Sequence, residues 1–125
     1  MDKVSFKKLL GVHQGKSYDA VQKLPRAVSK MNDGIPDSFD SETNWPQCSK
    51  VIGDIRDQSM CGCCWAFAGA EAASDRLCIS TNGTVAVPIS AQDVCFSASS
   101  DGCQGGQIDT PWTYISQSGA VTGGL

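Results

Sequence analysis

Histidine is nearly missing from this chain: one occurs in 125 residues, His13. Imidazole is the side chain best suited to moving protons near neutral pH, so the chain cannot hold a site that needs several. Apolar runs are short. None approaches the roughly 20 residues that span a bilayer, and the opening Met1-Asp2-Lys3-Val4-Ser5-Phe6-Lys7-Lys8 lacks the apolar core of a secretion leader. The expectation is no membrane partner, and either a cytosolic location or a targeting segment that lies elsewhere. Basic clusters are lacking too. The net charge is −3 and the 10 Lys and Arg residues are scattered, which excludes a phosphate-binding stripe and argues against nucleic acid. There is no internal repeat and no low-complexity segment. With 41% hydrophobic and 18% charged residues, the composition is that of one globular core, not of a disordered chain.

Cysteine, by contrast, is abundant. Cys48, Cys61, Cys63, Cys64, Cys78, Cys95 and Cys103 are spread as long-range bridges would need in an oxidising compartment, and their odd number leaves at least one thiol unpaired. Asn82-Gly83-Thr84 is a glycosylation sequon that matters only on the secretory route. Every cysteine lies beyond residue 34. Residues 1–34 are polar and Lys-rich, with a short apolar patch at Phe6, Leu9, Leu10 and Val12, and read as an arm. From Ile35, with Pro36, Phe39 and Trp45-Pro46, the texture changes. We expect a boundary there, with 35–125 as the globular part.

The run from Cys63 to Cys78 is Ala-rich and free of proline, which predicts a helix even though Gly69 costs about 1 kcal/mol relative to alanine. Apolar or small groups on nearly every face (Phe67, Ala70, Ala73, Leu77) predict that it is packed on several sides. Ser90 with Asp93, and Thr110-Pro111 closed by Gly119, mark two further helices. Val85-Ala86-Val87 is the one short β-branched signal, and Ser97 to Gly106 reads as a loop.

Gln58-Ser59-Met60-Cys61-Gly62-Cys63-Cys64-Trp65 puts a thiol in the first turn of the central helix, six residues after a carboxamide. That layout suits acyl transfer. A thiolate attacks a carbonyl carbon, and the Cys64 backbone N–H with the Gln58 side chain can converge on the developing oxyanion. The helix dipole, worth roughly 0.3–1 kcal/mol and up to about 2 when partly buried, is too weak to ionise a thiol fully. A cationic partner, normally histidine, is needed for that and for protonating the leaving amine. His13, in the polar arm, is expected to be a solvated residue without that role.

Cys61-Gly62-Cys63-Cys64-Trp65 resembles the signature of papain-like cysteine peptidases. Ile35-Pro36-Asp37-Ser38-Phe39-Asp40, Trp45-Pro46-Gln47-Cys48, Ile55-Arg56-Asp57-Gln58, Ser74-Asp75-Arg76, Gly102-Cys103-Gln104-Gly105-Gly106 and Gly119-Ala120-Val121-Thr122-Gly123-Gly124-Leu125 extend the resemblance to the cathepsin B type over residues 35–125. Phe6 to Leu10 more loosely resembles the end of a propeptide of that type. The resemblance implies an α+β papain-like fold of which this chain supplies the mainly helical left lobe, its central helix starting near Cys64. It implies Cys64 as nucleophile, Gln58 as oxyanion donor, and Gly105 and Gly106 as the substrate-binding edge; Trp65 is counted with the substrate-binding candidates, although it, like Trp112, reads more as core. It also implies bridges Cys61–Cys103 and Cys48–Cys78, with Cys95 paired to a cysteine in the other half. No cofactor or metal is implied. Peptide or protein substrates, and cystatin-like inhibitors, would be the partners, in a lysosomal or extracellular setting. In this family the histidine follows the cysteine by about 130–150 residues, so it and the asparagine are expected beyond Leu125, and the chain alone is expected to be inactive.

Two positions depart from that pattern. Cys63 stands where a small residue, usually serine, is the rule, and Ser59 stands where glycine is usual. A thiol at 63 could shuffle with Cys61 or Cys64, and a shorter loop before Cys103 puts the pairing of Cys95 in doubt. Three further readings compete with a peptidase: a catalytically dead protein that holds propeptides or inhibitors, a dithiol oxidoreductase built on Cys61-x-x-Cys64, and a zinc site of Cys61, Cys64, Cys95 and Cys103.

Overall fold

The computed structural model describes residues 2–13, 22–23, 25 and 35–123. Helix α1, Lys3–Leu9, is started by Asp2, whose carboxylate accepts from the backbone N–H of Val4 at 3.0 Å and of Ser5 at 2.7 Å. It buries none of its residues. Asp40 caps α2, Ser41–Asn44, in the same way, and a 3₁₀ turn at Pro46–Cys48 leads into α3, Ser49–Ile52.

The centre of the lobe is α4, Cys64–Ser80. Trp65, Ala66, Gly69, Ala70, Ala73, Ser74 and Cys78 are all buried, so the helix has no single apolar stripe. It is covered from different sides by α3, by α5 (Ala91–Ser97) and by α6 (Thr110–Ser118). Small side chains allow that approach. At Gly69 a methyl group would collide with Pro111 of α6, which explains a glycine in mid-helix despite its cost in helix propensity. Buried Ser74 is satisfied on both counts: its hydroxyl donates to Ala70 O at 2.6 Å and accepts from Ile89 N–H at 2.8 Å. Arg56 binds the same loop, donating to Ile89 O at 2.7 Å and to Asp54 at 3.0 Å.

The sequence-based helices form with small differences at their ends. α4 starts at Cys64 and runs to Ser80, two residues past Cys78. α5 is capped by Ser90, whose hydroxyl accepts from Asp93 N–H at 3.1 Å. α6 has Asp109, not Thr110, in the cap position and ends at Gly119 with φ of 76°. Val85-Ala86-Val87 forms no strand. Among the described residues, β pairing consists of isolated bridges: Val12 with Gly106, Gly62 with Gln104, and Ile89 with Thr122. The β-branched signal at 85–87 fails because no neighbouring strand offers a ladder.

Cys48 is bridged to Cys78 with Cα atoms 5.8 Å apart, tying the 3₁₀ turn to the far end of α4. Cys95 contradicts its expected pairing outside the chain. It is bridged to Cys63, because α5 packs directly on the start of α4 and brings the two buried sulfurs together.

Alanine at position 69 should destabilise the lobe by about 1–3 kcal/mol through overpacking against Pro111, outweighing a propensity gain of about 1 kcal/mol; urea unfolding of Gly69→Ala reads the sign directly. A second expectation concerns acid. Desolvation raises the pKa values of Glu71 and Asp75 above their ordinary 4.5 and 3.8, with nearby Arg56 opposing the shift. A folded state that holds these protons more tightly than the unfolded chain loses stability as pH rises through the raised values. On acidification to just above pH 4.5 the urea midpoint should therefore gain less in the Glu71→Gln, Asp75→Asn double variant than in the native chain.

Candidate active site

Cys64 is the first residue of α4, half-buried, and the one free thiol of the seven cysteines. The residues around it are tied down individually. Cys61 is bridged to Cys103, with Cα atoms 4.6 Å apart, and Gly62 N–H donates to Cys103 O at 3.1 Å. Cys63, the residue just before the free thiol, is bridged to Cys95, with Cα atoms 6.1 Å apart. Cys63 N–H donates to Cys61 O at 2.8 Å, and Cys63 O accepts from Ala66 and Phe67 N–H as the helix begins. The turn before this stretch holds Ser59 at φ of 54°, a conformation that favours glycine. The Asp57 carboxylate stabilises it by accepting from Ser59 N–H at 2.7 Å.

Gln58 is half-buried, and its amide nitrogen donates to Cys61 O at 2.9 Å and to Leu9 O at 3.2 Å. The first bond fixes the carboxamide beside the Cys61–Cys64 turn. The second binds a backbone carbonyl from the amino-terminal arm, so this donor is directed at a carbonyl of that arm.

Gly105 and Gly106 are buried, Gly105 with φ of 101°. A Cβ at 106 would sit 2.5–2.9 Å from the Trp65 ring. Trp65 itself is 1% exposed and donates through Nε1 to Gly102 O at 3.3 Å. Its ring packs beneath Gly106 and supports the backbone edge from within the core, which favours the core reading of Trp65 over the substrate-binding one.

That edge is occupied. Gly106 N–H donates to Gly11 O at 2.8 Å and His13 N–H to Gly106 O at 2.9 Å, a parallel bridge between the arm and the glycine pair. His13 is exposed, and its Nε2 lies 3.0 Å from Gln104 O. Since a carbonyl only accepts, the Nε2 proton is on the donor side. Gly11 approaches Gly62 so closely that a methyl group at 11 would strike the Gly62 carbonyl. Polar, Lys-rich composition marked residues 1–34 as an arm without revealing that its backbone pairs here. A Gly-Val-His stretch with little side-chain bulk at Gly11 is the only signal that close approach left in the sequence.

Two competing readings lose their ligands. Cys61 is bonded to Cys103 while Cys64 is free, so the Cys61-x-x-Cys64 pair is not the redox couple. The sulfurs of Cys61, Cys63 and Cys95 lie within 4.8 Å of one another, but all three are spent in bridges, and Cys95 and Cys103 cannot serve as zinc thiolates in this state.

Residues 35–124 match the model of the papain family cysteine proteases. Over 94 residues the chain is 54% identical to cathepsin B-like cysteine proteinase 4 of Caenorhabditis elegans, an alignment covering 74% of this chain and 28% of that protein. It is 48% identical over 96 residues to the cathepsin B-like cysteine proteinase of Schistosoma japonicum, covering 75% and 28%. Among solved structures, procathepsin B S9 from Trypanosoma congolense superimposes with a TM-score of 0.79 at 30% identity, over 98% of this chain and 41% of that one. The chain thus spans between a quarter and a half of the proteins it matches. It has the papain-like fold in the form of its mainly helical lobe, and it belongs to the papain family of cysteine peptidases, among their cathepsin B-like members.

Proposed function

We propose that this chain is the nucleophile-bearing part of a cathepsin B-like peptidase that cleaves peptide bonds in peptide or protein substrates through a thioester at Cys64. The observation that carries this reading is the free thiol at the first residue of a buried helix, beside a carboxamide already donating to a backbone carbonyl. In that role the Cys64 N–H and Gln58 Nε2 stabilise the tetrahedral oxyanion, and the Gly105–Gly106 edge aligns an extended substrate by main-chain pairing. The whole protein needs an imidazole to take the thiol proton and return it to the leaving amine. His13 does not fill that role: it belongs to the arm and is engaged with Gln104.

Residues 1–34 act in this reading as the end of a propeptide, and residues 35–125 as peptidase. The arm holds the two groups a substrate would need, Leu9 O on Gln58 and Gly11 O on Gly106, so it is a competitive occupant of the site. Three bridges fit an oxidising, lysosomal or extracellular setting. The same occupied edge favours a second reading, a protein that holds extended peptides or cystatin-like inhibitors without cutting them.

The two readings separate on turnover. In the whole protein, Cys64→Ala should abolish hydrolysis of a dipeptidyl fluorogenic substrate, and Gln58→Ala should lower kcat by about 10²–10³-fold; the 125-residue chain alone should show no turnover. Cleavage that survives Cys64→Ala would sink the peptidase proposal. Removal of residues 1–34 should also expose the edge. Alkylation of Cys64 by a peptidyl chloromethyl ketone is expected to be several-fold faster in the trimmed chain, with little change for the small reagent iodoacetamide.

A further inference from the structure

Cys63 is a hazard in its position. It directly precedes the free thiol and lies two residues after Cys61, whose bridge to Cys103 anchors the Gly102–Gly106 segment through Gly62. The Cys63 N–H to Cys61 O bond closes a three-residue turn that brings the two cysteines towards each other. The sulfurs of Cys61, Cys63 and Cys95 all lie within 4.8 Å of one another. A cavity of about 290 Å³ is lined by Cys61, Cys63, Cys95 and Cys103 together with Phe67 and Phe96, so there is room for a sulfur to move and a route for a proton to leave. An unpaired thiol at 63 would lie within 4.8 Å of the Cys61 sulfur of an existing disulfide, a gap that a side-chain rotation can close.

We propose that Cys95 is a guard for the site: by holding Cys63 in a bridge, it keeps Cys63 from breaking Cys61–Cys103 and so preserves the backbone edge beside Cys64. Cys63 and Cys95 are in this sense positioning residues, and the inference rests on the reading of Cys64 and Gly105–Gly106 given above. The step that the guard prevents is ordinary thiol–disulfide exchange. Cys63, having lost its proton to solvent in the cavity, attacks Cys61 Sγ. A Cys61–Cys63 bond forms, the Cys61–Cys103 bond breaks, and Cys103 leaves as a thiolate that takes a proton from solvent. No oxidant or reductant is consumed. The edge is then tied to the nucleophile turn only by hydrogen bonds.

The hazard comes from a free Cys63, not from the loss of a cross-link, and this distinguishes a guard from a bridge that merely stabilises. In Cys95→Val, native-state alkylation followed by disulfide mapping should find Cys64 and Cys103 as the alkylated thiols and a new Cys61–Cys63 bridge. In Cys63→Ser, Cys95→Val, which lacks the same cross-link, Cys64 should be the sole alkylated thiol and Cys61–Cys103 should be intact. A Cys63→Ala, Cys95→Leu variant repeats the test with the core refilled. An intact Cys61–Cys103 bridge with a free Cys63 in the single variant overturns the proposal. So does the same remapping in single and double variants, and so does failure of both double variants to fold, since the bridge would then hold the core. Because the map requires no turnover, failure here leaves the peptidase reading standing, and an inactive whole protein with the expected map leaves the guard standing.

Discussion

In the role proposed for Cys64, a free sulfur at the start of a buried helix has to meet two opposed demands. The helix must be packed on most sides to hold the sulfur in place, and the sulfur must stay open to a substrate and out of every disulfide. Here the first demand is met by α4, whose small residues let α3, α5 and α6 close around it. The second is met by committing six of the seven cysteines to bridges and leaving Cys64 free. Two of those bridges end at Cys61 and Cys63, on the approach to the helix. In the chain-entropy picture each closed loop of this size stabilises the fold by roughly 3–4 kcal/mol, a large share of what a single small lobe possesses.

Close backbone approach is the other recurring device. Gly69 admits Pro111, Gly106 lies on the Trp65 ring, and Gly11 sits against the Gly62 carbonyl. Each is a place where a methyl group would have to displace ring or backbone atoms. Together they bring the helix start, the glycine edge and the arm onto one face. The arm uses that face as a peptide would, with main-chain hydrogen bonds at Gly106 and a carbonyl on Gln58. Pairing of this kind reads backbone, so it places few demands on the side chains of the arm.

Much of the lobe was legible because its signals are local. The Ala-rich run from Cys63, the Ser90 and Asp93 pair and the Thr110-Pro111 start all rest on interactions within one turn, and all three helices form within a residue or two of expectation. Val85-Ala86-Val87 misled because a strand is stabilised by its neighbour and none is present. Trp65 was harder to place, since a residue beside the free thiol can serve either core or substrate; the helix turns its side chain inward beneath Gly106.

By itself the sequence determined the family, the helix that begins at Cys64, and the presence of a carboxamide six residues earlier, since each follows from residue types at short spacing. The bridges Cys48–Cys78 and Cys61–Cys103 were implied by the family resemblance and are present, but the pairing of Cys63 with Cys95 was decided only by the tertiary structure. Sulfur pairing depends on the distance between elements far apart in the chain, and α5 delivers Cys95 to Cys63 at a separation of 32 residues. The seating of the arm on the glycine edge was decided there too, because main-chain hydrogen bonds leave almost no trace in side-chain identity.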